Sequence, residues 1–257
     1  MPAGIGVGRL WALVRETRSL EQREPSIAVS GPGADRLAAD LAAGGDASAV
    51  RVGAGPAQAA ASVVVLAAAP AAAEQEAMRR AARAGALLVV VRVGGFAGSV
   101  PYALASDVID AAGDDVPLDR VVEVLAAALD SDDAVALAGR LPSLRPAVER
   151  RMIERTALAN AAIAAAPWMK EAHLPLMSLA QGRMLLGFAV AEGGALPRDP
   201  QRLAAAAGLP LAGALAAGIG LRAFYRRLPA RGPLVAAAVA YAGTKALGEA
   251  RRRIPSP

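Results

Sequence analysis

Two apolar runs constrain this chain more than any other feature: ASVVVL at Ala61–Leu66 and ALLVVVRV at Ala86–Val93. A strand with one wet face alternates polar and apolar residues, and these runs do not. Strands of that kind are covered on both sides, which is the situation of a parallel sheet flanked by helices. The stretch between them agrees. Residues 70–84 read as a helix with Glu74, Glu76, Arg79, Arg80 and Arg83 on its wet side, and Gly85 stands where a C-cap glycine belongs. Upstream, Ser26–Ser30 (SIAVS) is a short β-type run, Gly31-Pro32-Gly33 a turn, Asp35–Ala43 a helix and Ala47–Val52 a second strand. Downstream, Val100–Ala105 reads as a last strand and Leu118–Leu129 as a last helix. The expectation is an α/β N-terminal domain, mostly parallel sheet, with a P-loop or Rossmann-like outline.

In such domains phosphate binds where a strand passes through a Gly-rich turn into a helix, because the first helical amides point at the anion. Gly31 and Gly33 occupy that place and are the weak anion-site candidates. The chemistry around them is missing. Counting G-x-x-x-x-G-K-[ST] from Gly31 puts Arg36, Leu37 and Ala38 at the working positions, with neither the lysine nor the hydroxyl. A dinucleotide G-x-G-x-x-G is not present either. Two acidic groups, Asp107/Asp110/Asp114/Asp115/Asp119 and Asp130/Asp132/Asp133, lack the register of a calcium loop and read as solvated loops and helix caps. With no cysteine and His173 as the single histidine, thiolate chemistry and multi-histidine metal sites are excluded. No catalytic residue, metal or cofactor is expected.

Charge is divided along the chain. Residues 1–137 carry 11 Arg and no Lys against 17 Asp/Glu, a net −6, while residues 138–257 carry 17 Lys/Arg against 6 Asp/Glu, a net +11. A basic, apolar half suggests an anionic membrane surface or a protein partner. Nucleic acid fits poorly, because aromatic residues are scarce at 3% and no docking motif is present. The start, Ile5–Glu24, reads as an amphipathic helix with Leu10, Trp11 and Val14 on one face, more consistent with packing on its own protein than with lying on a bilayer. Glu16, Glu21 and Glu24 follow only a short apolar stretch, so no secretory signal is read. A cytoplasmic location is expected, with the inner face of the cell membrane as a place of association.

The second half reads as an all-α helical bundle. One helix opens at Leu141-Pro142 and runs to about Ala166; a loop passes through His173 to Pro175; a second helix covers Leu176–Glu192 and stops at Gly193-Gly194; a third covers Pro233–Arg252. Leu203–Leu221 is an uncharged run of 19 residues, long enough to span a bilayer but built of Ala and Gly with Pro210 inside it, which supply little insertion free energy. Asn160, Gln181, Tyr241 and Thr244 lie in apolar context, and Arg222 and Arg226 follow the uncharged run. Buried groups of this kind are hydrogen-bonded, so they are expected to tie helices together or to contact a ligand. A small apolar ligand or lipid, if enclosed, would be lined by Trp168, Met184, Phe188, Phe224 and Tyr225.

The stretches LPSLRPAVERRMIERTALANA from Leu141, LPLMSLAQGRMLLGFAVAEG from Leu174 and VAYAGTKALGEA from Val239 resemble the bacterial family called "domain of unknown function 697". That module occurs alone and behind Era-like GTPase domains. The resemblance implies a helical module of a kind often associated with membranes, with no established catalytic residue to carry over. It also suggests that the first half is a degenerate GTPase-type domain. No D-x-x-G follows Leu66, and Arg92-Val93-Gly94-Gly95 stands where guanine-reading N-K-x-D would be expected. The organisation expected is an N-terminal helix at 1–24, a degenerate nucleotide-binding-like domain at 25–137 and a helical domain at 138–257. The function expected is non-catalytic scaffolding, at a membrane or with a protein. A ligand-binding helical module and a residual nucleotide-binding protein are the alternatives.

Overall fold

The computed structural model describes residues 7–53, 59–96, 98–166, 173–194 and 232–253. The chain divides into two compact units, Gln22–Val148 and a second one made of Met1–Glu21 with Glu149–Pro257. Residues 138–148, grouped by sequence with the helical half, therefore belong to the first unit, and the N-terminal helix belongs to the second.

The first unit is an α/β fold around a five-stranded, all-parallel sheet, with strands β1 (Ile27–Ser30), β2 (Val50–Val52), β3 (Ala61–Leu66), β4 (Leu87–Arg92) and β5 (Val108–Asp110) in the order β2-β1-β3-β4-β5. The two apolar runs are the neighbouring strands β3 and β4, registered Ala61 to Leu87 through Leu66 to Arg92. Their lack of alternation has the expected cause. Val64, Leu66, Leu88 and Val90 face Met78 of helix α3 (Ala72–Arg83). Val63, Val65, Val89 and Val91 point the other way and are fully buried. On that side α2 (Ala34–Ala42) and α4 (Leu118–Ala128) touch each other and the sheet. Each valine buried so thoroughly contributes about 2 kcal/mol. Gly85 closes α3 with a left-handed φ of 74°.

The edges of the sheet differ from the sequence reading. Ala47–Ala49 is a single 3₁₀ turn that only then enters β2. The segment Val100–Ala105 is not a strand: Pro101 and Tyr102 form a turn with Tyr102 at φ 67°, and the fifth strand lies further on at Val108–Asp110. Val100 and Ala103 do pack against the core beside β3 and β4, but the left-handed backbone at Tyr102 turns the chain and breaks the extended run. Asp110 is part of β5 and Asp107 is buried beside Ser106, so this acidic group is not simply solvated.

A further helix, α5 (Ser131–Arg140), follows α4 and was not separated by sequence; Asp130 caps it, accepting from the Asp132 amide at 2.9 Å. Its last residue, Arg140, reaches back to Asp46 (2.7 Å), the Ser48 hydroxyl (2.9 Å) and the Pro25 carbonyl (2.8 Å).

Every described element of the second unit is a helix. α1 (Val7–Glu21) packs on α7 (His173–Ala191), with Glu16 paired to Arg183 at 2.7 Å and Val14 buried. α6 (Arg145–Ala165) contributes its residues from Glu149 onward, and α8 covers Pro233–Arg252. Two expected boundaries shift. Leu141–Leu144 is a turn before α6, and α7 starts at His173, so the loop expected at 173–175 is helical backbone. The pairs Glu149–Arg252, Ile153–Gly248 and Asn160–Thr244 make α6 and α8 antiparallel, whereas Gln181–Thr244 and Glu192–Arg251 make α7 parallel to α8. A Cβ on Gly187 would lie 2.3 Å from Met152 Cε, and one on Gly248 would lie 2.5 Å from Ile153 Cγ1, so the helices meet at glycine. Among the described residues no helix is long and apolar enough to cross a membrane; the run 203–221 lies outside them.

The Asp46 carboxyl is held down to about 2, against an ordinary 3.8, first by the Ser48 hydroxyl and then by Arg140. A depressed carboxylate stabilises the fold above its unfolded value, and that contribution is lost as pH falls through the folded one. Asp46→Asn is therefore expected to lower the thermal midpoint at neutral pH. Its deficit relative to the parent should close between pH ~4 and ~2; a deficit independent of pH would exclude this assignment.

Candidate functional site

The order β2-β1-β3-β4-β5 reverses direction between β1 and β3, and ligands of doubly wound sheets lie at that crevice, beyond the C-terminal strand ends. Here the β1–α2 turn packs directly on β3. Only Gly31, Pro32 and Gly33 separate β1 from α2. Gly31 has φ 98°, and a Cβ there would sit 2.0 Å from the Val65 carbonyl oxygen, so the turn presses on the backbone of β3. The Ala34 amide is consumed by the Gly31 carbonyl at 3.2 Å. Gly33, at φ 74°, begins α2 without a side-chain cap, and exposed Asp35 adds negative charge to the first turn. Both anion candidates thus lie in the three-residue turn between β1 and α2, where the nearby Asp35 carboxylate opposes an anion.

At the end of β4, where guanine recognition would be expected, Arg92 acts as a brace. Its guanidinium takes both Asp110 oxygens, at 2.5 and 2.8 Å, and donates to the Gly98 carbonyl at 2.9 Å. The Arg92 hydrogen bonds hold the Asp110 carboxyl below its ordinary value. Of the other acidic residues, Asp115 pairs with Arg36 at 3.0 Å, both well exposed. Among the described residues no three His, Cys, Asp or Glu side chains cluster as a metal site. A shallow open groove lies at the opposite, N-terminal end of β1 and β3, lined by Arg23, Glu24, Pro25, Ala59, Ala60 and Asp133. It is far from the crevice where such sheets do chemistry, and Arg23 and Asp133 already pair across it at 2.9 Å.

The more specific constellation is in the helical unit. Asn160 of α6, Gln181 of α7 and Thr244 of α8 meet, all of them buried. Asn160 Nδ2 donates to Thr244 Oγ1 at 2.9 Å, and Gln181 Nε2 donates to the same oxygen at 3.2 Å. One hydroxyl thus uses both lone pairs to join three helices. Asn160 Oδ1 is buried and has no partner among the described residues, a deficit of about 1–3 kcal/mol for an isolated acceptor. Tyr241 is not part of this node. It is half-buried one turn earlier on α8, and its hydroxyl donates to Glu154 at 2.7 Å. Lys245 approaches Glu154 at 3.7 Å and lies 5.6 Å from the Tyr241 ring centre. The Tyr241 hydroxyl, and after it Glu154, raise the Lys245 ammonium above its ordinary value. Arg222 and Arg226 lie outside the described residues, as do Trp168, Phe224 and Tyr225. Met184 and Phe188, the remaining expected lining residues, pack with Ile153 and Leu185.

Sequence reasoning missed several polar anchors. Buried Ser178 stands one turn before Gln181, and buried Glu149 pairs with Arg252 at 3.0 Å across 103 residues of chain. Arg251 pairs with Glu192 at 2.7 Å. Nothing local distinguishes these charges from the exposed ones beside them. Searches of family models, curated proteins and solved structures give no match to this chain. The resemblance read from Leu141 onward rests on its own residues.

Two substitutions test these sites. Gly31→Ala is expected to cost about 3 kcal/mol or more in urea unfolding, against about 1 for Gly33→Ala, whose Cβ would meet nothing within 4 Å. Equal effects would show that the turn does not press on β3. Thr244→Val, which keeps the shape but removes the shared acceptor, is expected to cost about 3 kcal/mol; a change below about 0.5 would exclude the node as a structural tie.

Proposed function

We propose that this chain is a non-catalytic association protein, in which a degenerate nucleotide-binding-like domain is joined to a helical-bundle module that docks a protein partner. The observation that carries the first part is the β1–α2 turn pressed against Val65, with no lysine or hydroxyl where phosphate and magnesium would need them. At the positions where a GTPase would hold its phosphate and guanine residues, Arg36 pairs with Asp115 and Arg92 braces Asp110.

The second part rests on the outer face of α8. Leu234, Ala238, Ala242, Ala246 and Ala250 are all exposed at four-residue spacing, with Leu234 at 84%. Alanine supplies little transfer free energy to lipid, but it lets another helix approach closely enough for dense backbone contact. A protein surface therefore suits this stripe better than a bilayer. The arginines near the end of the same helix are engaged internally with Glu149 and Glu192, which weakens the case for an anionic lipid surface. Met184 and Phe188, consumed by packing, give the ligand-binding alternative no support.

Calorimetry of the full chain with GTP, ATP and NAD at about millimolar concentration is expected to give no heat, and binding of any of them would overturn the non-catalytic reading. In native extracts the chain should elute above its monomer mass of 25.8 kDa, and Ala242→Glu should return it to that mass. A wild-type monomer would sink the association reading. Sedimentation with membranes through a carbonate wash would replace the protein partner with a bilayer.

A further inference from the structure

We propose that α1 is a releasable latch: it closes a helix-docking face on α7, and a partner helix of the same pattern binds that face when α1 lets go. The inference starts from how unequally the helices of the second unit are tied. α6, α7 and α8 share the buried Asn160–Gln181–Thr244 node, the close contacts at Gly187 and Gly248, and the pairs Glu149–Arg252 and Glu192–Arg251. α1 is held by Leu13, Val14 and Leu20, all buried, and by the pair of Glu16 with Arg183, whose side chains stay 44% and 55% exposed. Exposed pairs of this kind contribute little. Buried Thr17 spends its hydroxyl proton on its own helix, donating back to the Leu13 carbonyl at 2.9 Å. Local opening starts where the ties are weakest, so α1 leaves before the other helices separate. A helix of 15 residues is marginal on its own in water, so α1 unwinds once released.

The surface left behind has a defined chemistry. Leu186 and Val190 stand one and two turns past Arg183 on the same face of α7, and both are buried. They stand apart from the cluster of Ile153, Met184, Leu185 and Phe188. The Glu16–Arg183 contact lays α1 on this strip, so its departure bares an apolar surface with a cation set into it. The partner that fits is described by α1 itself, LVRETRSL at 13–20. It is a helix of another protein with apolar residues at the positions of Leu13, Val14 and Leu20, a small residue at that of Thr17, and a carboxylate at that of Glu16 to meet Arg183. Such a helix competes with a segment already tethered in place. Residues 22–26, which join α1 to β1, are neither helix nor strand, and Arg23 among them is fastened to Asp132 and Asp133 at 3.4 and 2.9 Å. A short tether of this kind keeps α1 at an effective concentration on the order of millimolar, so the closed form dominates until a better-fitting helix displaces it.

The latch goes beyond the association reading and does not depend on it, since that reading uses the outer face of α8 and the closed latch takes no part in the extract profile. The test uses the full chain and a fluorescent peptide of residues 7–21. The double variant Leu13→Asp/Leu20→Asp, which undocks α1, is expected to bind the peptide at least about tenfold more tightly than the parent, in which the tethered copy competes. A peptide carrying Glu16→Arg should lose that gain, and adding Arg183→Glu to the opened chain should restore it. The proposal is overturned by an opened chain that keeps a cooperative thermal transition and ignores the peptide, by a parent that binds it equally well, or by binding insensitive to the charge swap. Hydrogen exchange on the unaltered chain tests the latch whether or not the double variant folds. Amides of residues 13–20 are expected to exchange at least about tenfold faster than those of 153–160 and 181–188, and equal protection overturns the latch.

Discussion

The fold of this chain depends on bringing backbones together. With 3% aromatic residues and an abundance of alanine, it has few large side chains with which to exclude water, so close approach has to do that work. Glycine marks the places where it happens. Gly31 lies against the carbonyl of Val65, Gly45 against that of Arg140, Gly187 against Met152 and Gly248 against Ile153. Each contact sets the position of a whole element: the start of α2, the docking of α5, and the spacing of α6 from α7 and α8.

Polar groups in such an interior cannot be scattered. The helical unit gathers three of them at one hydroxyl, because a buried amide without a partner weakens an Ala-lined contact that has little apolar area to offset it. The same logic explains why Arg140, Arg92 and Arg252 each converge on carboxylates distant in sequence. These long side chains reach over small neighbours and tie elements that have no bulky residues with which to grip each other.

The α/β sheet was legible because β3 and β4 are buried on both faces, and short, valine-rich runs bounded by turns, ASVVVL and ALLVVVRV, are what such strands look like. Pro233–Arg252 was legible to the residue, as Pro at its start and arginines at its end mark a helix. The fifth strand was misplaced by eight positions because its three residues, Val108–Asp110, are held by pairing with β4 and by the Arg92–Asp110 contact, neither of them local. Asn160, Gln181 and Thr244 were recognisable as polar residues in apolar surroundings, but that they share one oxygen depends on the register of three helices. Tyr241 looked equivalent and is not, since one turn of α8 separates a residue facing the node from one facing Glu154. The closed turn was legible only in part. The absent lysine could be read, whereas the pressure of Gly31 on β3 arises from strand order.

The two outer strands, Val50–Val52 and Val108–Asp110, are half as long as the six-residue inner strands β3 and β4. They place Arg51 and Asp110 at the margins of the sheet. Short, charged margins give a neighbouring chain almost no ladder on which to continue, so the sheet is a poor template for edge-to-edge stacking. Concentrated solutions of this protein would accordingly be protected from fibre growth through its most β-prone sequences, VVVL and LLVVV, as long as the first unit stays folded. Once it unfolds, those same segments carry no charge of their own and become its principal aggregation hazard.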